Sequence, residues 1–547
     1  MKRILAAQFS QLGAEELLRL SRGLEELSLL TGGKWRWASA CSGSDVLFVA
    51  LEALHDFWKS RMGSVPEIAH TFSCEDVVFK QEWIKTFFAP QHIFPDIQLL
   101  KGDSVQDVDG NDVSDLSCDA FVAGVECDSI SGLNREHTQN YDCAAEEASG
   151  QPTKTGDTAR SAVGFLEQRR PPLAIFENVK NLACAGKSGQ SNLDWLVHRA
   201  NQLGYHVVHM VLSAADYGVP QQRDRVYIIC VFVGGAPDQS KPGQDESTPA
   251  QAEPGWAHDL RAFITSMRIA SLELHDFLLA DSDPEVAAAN AALPPSATAN
   301  KLKRKRPQTP RQDGGEPEAG GKEAPVKKYE VEHLEHYSQA RVAWPPVLPQ
   351  AFVAKASCLT TRAQEVLFLE ETLSGPAESL QTLKCRDLNM TMGWGKWRES
   401  QVPCVVSTSV LWLRGPRPGG TIDRLLSGKE LLQLQGFDAH RQEETPHGFT
   451  QKDKVDLAGN AFCGPILFAV VSGVVACVNW QAAFEAKDRV PRQAVALPEP
   501  EPAGLAPPES LDGGSLCGEE EAVESEEPEL DPEVDPDSDL SVGSMLG

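Results

Sequence analysis

Four residues along this chain are of types that could do chemistry together. The apolar run Ala120-Phe121-Val122-Ala123 leads into Gly124-Val125-Glu126-Cys127-Asp128-Ser129-Ile130-Ser131, a polar turn carrying a lone cysteine. A second apolar run ends in Phe176-Glu177-Asn178-Val179, and Gln221-Gln222-Arg223-Asp224-Arg225 opens a third. A thiol, a carboxyl group and an arginine pair at strand ends suit nucleophilic attack on an electron-poor ring. Adjacent strands lie about 5 Å apart, so Cys127 and Glu177 can face one small pocket. A cysteine after an apolar strand is more often a small buried hydrophobe; the acid ending the next strand shifts the balance toward a reactive thiol.

A second group sits at earlier strand ends, where open α/β sheets bind ligands. Ala40-Cys41-Ser42-Gly43-Ser44-Asp45 is a small-residue turn entering a helix. Gly43 permits close backbone approach, and the helix start supplies unpaired N–H groups. Cys74-Glu75-Asp76 follows the second strand and Lys101-Gly102-Asp103 is expected to follow the third. The first of these acidic turns suits ribose hydroxyls, the second an adenine amino group.

The elements that must position these residues alternate between apolar strands and helices. Strands are expected at Trp35–Ala40, Ile68–Ser73, Ile97–Leu100, Ala120–Val125, Leu173–Glu177, His206–Ser213 and Arg225–Phe232, with a helix at Val46–Trp58 between the first two. This alternation implies an α/β fold, doubly wound around a mainly parallel sheet. The short polar link Ala214–Asp224 cannot hold a crossover helix, so the last two strands should pair antiparallel.

In order, these motifs resemble those of the DNA (cytosine-5) methyltransferases. The Ala214–Ile229 segment resembles the family's YGVPQxRxR stretch, and Gly156-Asp157-Thr158-Ala159-Arg160-Ser161 fits the helix before its FENV strand. Ser427–Phe437 resembles the motif supporting the target-recognition domain, and Asp456-Leu457-Ala458-Gly459-Asn460-Ala461 the final motif, whose helix returns to the cofactor pocket. The resemblance implies a seven-stranded, Rossmann-like methyltransferase sheet with a smaller target-recognition domain. It implies S-adenosyl-L-methionine as cofactor and DNA as partner. Cys127 is then the nucleophile toward carbon 6 of a flipped cytosine, and Glu177 the partner of ring N3. Asn178 shapes the pocket, Arg225 contacts the cytosine carbonyl, and Arg223 braces the catalytic loop. Ser42, Gly43, Ser44, Glu75, Asp76, Asp103, Asn460 and Ala461 are the implied cofactor-binding set. Two departures stand out: Glu126-Cys127-Asp128 replaces Pro-Cys-Gln, and Cys41-Ser42-Gly43-Ser44-Asp45 replaces Phe-x-Gly-x-Gly. Both acids beside Cys127 should raise its thiol pKa. A non-catalytic relative that binds nucleic acid or chromatin, and a transfer-RNA methyltransferase, are the two competing readings.

The same logic divides the chain. An amphipathic helical extension is expected over 1–33, where Leu12, Leu17, Leu18, Leu20, Leu24 and Leu27 fit one short helix. The catalytic domain covers 34–233, a low-complexity insert 234–328 in which Trp256–Leu279 could be helical, the target-recognition domain 329–420, and the returning motifs 421–485. An acidic tail closes the chain at 486–547. From Pro498 onward it has no Lys or Arg, and it holds more than half of the net charge of −28, as solvated, disordered tails do. It offers a docking surface for chromatin or a protein partner. The cluster Lys301-Leu302-Lys303-Arg304-Lys305-Arg306-Pro307 suits nuclear import. No apolar run approaches the roughly 20 residues that span a bilayer, so no membrane partner is expected. The thirteen cysteines include no C-x-x-C pair, which argues for reduced thiols and no structural metal.

Overall fold

A computed structural model describes residues 1–63, 65–127, 130–131, 142–149, 154–186, 188–234, 254–293, 328–438 and 448–489. All of them belong to one compact unit. Asp128, Ser129, the Lys301–Pro307 cluster and the tail beyond Arg489 fall outside the described residues, while the first positions given to the tail, 486–489, complete a helix over Trp480–Arg489.

The chain starts with α1 (Lys2–Phe9) and α2 (Ala14–Leu30). Five of the six patterned leucines lie in α2, and none lies in α1. Leu20, Leu24 and Leu27 are buried, Leu12 is buried in the link between the helices, and Leu18 is exposed. Next come β1 (Lys34–Ala40), α3 (Val46–Met62), β2 (Glu67–Cys74), α4 (Val78–Phe88) and β3 (His92–Phe94). After them are β4 (Ala120–Ala123), α5 (Lys154–Arg169), β5 (Leu173–Val179), α6 (Asn192–Gln202), β6 (Tyr205–Ser213) and β7 (Asp224–Phe232). They form a seven-stranded sheet in the order β3-β2-β1-β4-β5-β7-β6. β1, β2, β3, β4 and β5 run parallel, and β7 pairs antiparallel with both β5 and β6. The fold class and the closing hairpin are as the sequence implies.

Alternation along each strand feeds two cores. Trp35, Trp37, Val122, Ile175 and Ile229 join the core under α1, α2 and α3. Ala38, Phe121, Ala123, Phe176 and Ile228 join the one under α5 and α6. The register sets the site: Glu177 pairs with Tyr227, Asn178 with Val226 and Val179 with Arg225.

Three expectations are corrected. The third strand is His92–Phe94, and Ile97–Leu100 lies in a 3₁₀ turn over Ile97–Lys101. Asp96 starts that turn by accepting from the Gln98 amide at 2.8 Å. Ile97 and Leu100, three apart, are both buried while Leu99 faces out, the spacing of a 3₁₀ helix rather than a strand. Asp103 consequently follows this turn, not a strand end, and is exposed.

The second concerns Trp256–Leu279. Helix α7 covers only Gly255–Ser266, and only a short 3₁₀ turn (Leu274–Phe277) follows before Leu279. α7 buries Ala257, Leu260, Phe263 and Ile264, so this part of the insert is core. A Cβ on Gly473 would sit 2.8 Å from Ile264 Cγ1, so the helices meet where one lacks a side chain.

The third concerns bilayer-length apolar runs. After α8 (Gln451–Gly459), α9 (Gly464–Cys477) is apolar almost throughout, and the two together pass a membrane-span test by length and composition. The apolar window is 83% buried inside the fold. A helix hydrophobic all round is a core helix when protein surrounds it; α9 packs against α1, α2, α3 and α7.

A four-stranded antiparallel sheet, β8 (Lys384–Asp387), β9 (Arg398–Glu399), β10 (Leu411–Arg417) and β11 (Gly420–Leu425), has the order β9-β8-β10-β11. Trp412 is fully buried in it and donates to Asp423 at 2.7 Å. Trp394 is 63% exposed.

Candidate active site

Beyond β4 the chain passes through Gly124, where a Cβ would meet the Cys41 carbonyl oxygen at 2.8 Å and the Phe462 ring at 2.9 Å. Only glycine fits between them. The Val125 carbonyl accepts from Asn178 Nδ2 at 2.9 Å, and the Glu126 amide donates to Thr158 Oγ1 at 3.1 Å. That second bond is one proline could not make, since it has no N–H; Glu126 thus anchors the turn by a donor in place of a ring. The Cys127 carbonyl accepts from the Ile130 and Ser131 amides at 3.1 and 2.9 Å. Cys127 itself is half-buried.

At the end of β5, Glu177 is buried, with Oε1 3.2 Å from Arg225 Nε. Burial raises its pKa above the usual carboxyl value, and Arg225 and Arg223 only partly oppose this. Among the described residues Oε1 accepts no hydrogen bond in spite of its nearness to Arg225. A buried carboxyl group beside a fixed cation is what this pocket holds. Arg225 remains firmly charged: burial works against the charge, but Cys404, Glu177 and Cys127 outweigh it. The same three groups mark the arginine as the centre of the cluster. Its Nη1 donates to the Asp224 carbonyl at 2.9 Å and its Nη2 to Cys404 Sγ at 3.6 Å.

Arg223 faces another way. It donates to the carbonyls of Val405 (3.0 Å), Ala461 (2.6 Å) and Gly459 (3.4 Å). Gln222 N and Val402 N reinforce the junction by donating to Val402 O and Pro220 O at 2.9 and 2.8 Å. Residues 402–407 are thereby threaded between the β6–β7 link and the Asp456–Ala461 motif. Nothing in the local sequence marks this. Cys404, which it brings to Arg225, was missed because its partners are far away along the chain.

The opposite side of the pocket is built on the β1–α3 turn. Ser42, Ser44 and Asp45 are buried. Gly43 has φ +66°, and a Cβ there would meet Asn460 Cβ at 2.8 Å, so the turn and the Asn460–Ala461 motif touch. The Gly43 amide donates to Glu75 Oε2 at 3.2 Å. Burial pushes Glu75 up to about 7; Lys80 pulls it down and Asp76 pushes it further up. Lys80 Nζ, itself buried, lies 3.9 Å from Glu75 and 3.2 Å from Asp456. Asp76 is exposed at the rim. Ser42, Gly43, Ser44, Glu75, Asn460 and Ala461 are thus brought together. The acid that follows β3 is Asp96, which adds negative potential at Cys41. It escaped notice with the strand it follows. A buried acid near neutrality, an exposed acid beside it and a close-approach turn fit a ribose diol with an attached base.

Residues 69–475 match the family model described as C-5 cytosine-specific DNA methylase. A DNA (cytosine-5-)-methyltransferase, DMT5 of Cryptococcus neoformans, is 27% identical over 242 residues, 44% of this chain and 9% of its own length. The type II methyltransferase M.SsoII of Shigella sonnei is 28% identical over 166 residues, 29% of this chain and 38% of its length. M.HhaI of Haemophilus parahaemolyticus is 33% identical over 95 residues, 16% of this chain and 28% of its length. The chain therefore spans well under half the length of these relatives. The solved structure of S. pombe Dnmt2 aligns over 80% of this chain and 97% of its own, with 10% identity and a TM-score of 0.39.

Proposed function

The chain belongs to the C-5 cytosine-specific DNA methylase family, and on that premise we propose that it methylates carbon 5 of cytosine in DNA, with Cys127 as the transient nucleophile. The observation carrying this reading is the buried Glu177, its pKa raised, held beside Arg225 in one cluster with Cys127. Cys127 sulfur bonds to carbon 6 of the flipped ring while Glu177 gives its proton to N3. Carbon 5 then carries the electron density of an enamine. S-adenosyl-L-methionine, when bound, supplies the electrophilic methyl group. Loss of the carbon-5 proton to a base expels the thiolate, and N3 returns its proton to Glu177. Arg225 faces the carbonyl beside N3 and holds charge in the pocket.

Ser42, Gly43, Ser44, Glu75, Asp76, Asp103, Asn460 and Ala461 would hold the cofactor, with Asp96, which acts on Cys41 beside the turn, as a further acid at this end of the sheet. The sheet of β8 to β11 and its helices would read DNA, with exposed Trp394 beside Lys396 and Arg398 as a contact for bases and phosphates. Nuclear location and a partner docked on the acidic tail rest on the sequence alone.

The test is transfer of labelled methyl groups from S-adenosyl-L-methionine to unmethylated and hemimethylated duplex DNA, with transfer RNA and the Cys127→Ser protein alongside. Incorporation into DNA that Cys127→Ser abolishes is the expected result. Incorporation only into RNA, or none with a folded, cofactor-saturated protein, overturns the reading.

A further inference from the structure

Asp45 begins helix α3 with φ +55°, in the left-handed region, and is wholly buried. A buried aspartate in that conformation is costly unless its surroundings hold it. They do. Ser42 Oγ donates to Oδ1, and Ser73 Oγ donates to Oδ2 at 2.5 Å. Ser73 Oγ is in turn 2.7 Å from His70 Nε2 and accepts from Ser39 Oγ at 3.2 Å. The His70 ring stacks on Phe48 of α3, centroids 3.3 Å apart. Burial keeps His70 neutral and Asp45 above its ordinary range. The turn is clamped at two further points: Trp83 Nε1 donates to Ser44 O at 3.1 Å, and Gly43 N to Glu75.

We propose that Asp45 is a positioning residue for the cofactor, its carboxyl group acting through Ser42 and Ser73 to fix the Ser42–Ser44 turn in its receiving shape. This rests on the reading that the turn receives S-adenosyl-L-methionine. The two ends of the device lie on different strands: Ser42 follows β1, and Ser73 is in β2, whose end carries Glu75. Asp45 therefore fixes the spacing between the backbone that meets the cofactor and the acid that meets its ribose. A glycine could adopt the same φ without strain, but it could not link the strands.

Calorimetric titration of the full chain with S-adenosyl-L-methionine, and separately with S-adenosyl-L-homocysteine, tests this for Asp45→Asn, Asp45→Gly and Ser73→Ala. Each variant should weaken both ligands about tenfold or more, the effect of losing hydrogen bonds to a charged group. Affinity for duplex DNA and the far-UV circular dichroism spectrum should stay unchanged. Asp45→Gly is the decisive variant, because it keeps the left-handed backbone while removing the carboxyl group with the rest of the side chain. Wild-type affinity in Asp45→Gly or in Ser73→Ala overturns the inference. If the Asp45 variants do not fold, Ser73→Ala decides alone. If the unaltered chain binds neither ligand, the cofactor reading falls and the inference with it.

Discussion

Arg225 and Cys404 meet across 3.6 Å, guanidinium to sulfur, although 179 positions separate them in the chain. Burial raises the Cys404 thiol, but Arg225 and Arg223 outweigh it and leave its pKa below the ordinary value. The arginine therefore serves two acids at once, Cys404 on one side and Glu177 on the other.

Cys404→Ala should for that reason move a pH profile. In the proposed mechanism Glu177 must hold its proton to act at N3, so the rate should be lost as pH rises through its raised pKa. Without the sulfur, Arg225 acts on Glu177 alone and lowers it. The basic limb of kcat should shift to lower pH, with a loss of a few-fold near neutrality. A profile superimposable on the unaltered one would show that Cys404 takes no part.

Glu75 gives a second pH signature. Its value is up to about 7 against an ordinary 4.5. Between those limits the folded state holds more protons than the unfolded one, so this group makes stability fall as pH rises from about 4.5 to 7. If Glu75 accepts the ribose hydroxyls as proposed, cofactor affinity should move oppositely, rising through about pH 7 as its carboxylate forms. Glu75→Gln should flatten the first trend in a ligand-free thermal melt and weaken binding at every pH. Lys80→Met removes the cation that lowers Glu75 and should carry the binding transition to higher pH.

Gly459→Ala tests the threaded segment. A Cβ there would lie 2.2 Å from Ser407 N and from Val406 C, both backbone atoms with little room to yield. A cost of about 1–3 kcal/mol or more is expected in denaturant unfolding. Activity should fall further than stability, because the displaced segment carries Cys404 and the carbonyl that holds Arg223.

The parts of this molecule legible in the sequence are those written in local alternation. β1, β2, β4, β5, β6 and β7 each follow a run of apolar residues that two cores divide between them, and the YGVPQQRDR segment showed the hairpin and both arginines. β3 was not legible. Its three residues are too few to show a period, and the stronger apolar run beside it belongs to a 3₁₀ turn; Asp96 was passed over with it. Glu126 looked only like a charge beside a thiol, because its contribution is a backbone donor and the acceptor, Thr158, lies across a loop. Cys404 and Lys80 act through tertiary contacts that no spacing encodes.

Arg223 joins the sheet to carbonyls 182 and 238 residues further along. During synthesis at about 5–20 residues per second, the sheet can assemble well before those acceptors leave the ribosome. For some tens of seconds or less, Arg223 would lack its Val405 and Ala461 acceptors and Arg225 the Cys404 sulfur. An incomplete chain, halted before residue 402, would own Cys127, Glu177 and the Ser42–Ser44 turn and still lack the brace that Arg223 makes to Val405 and Ala461. The long-range staple thus makes synthesis through Ala461 a condition for Arg223 to hold its full set of acceptors.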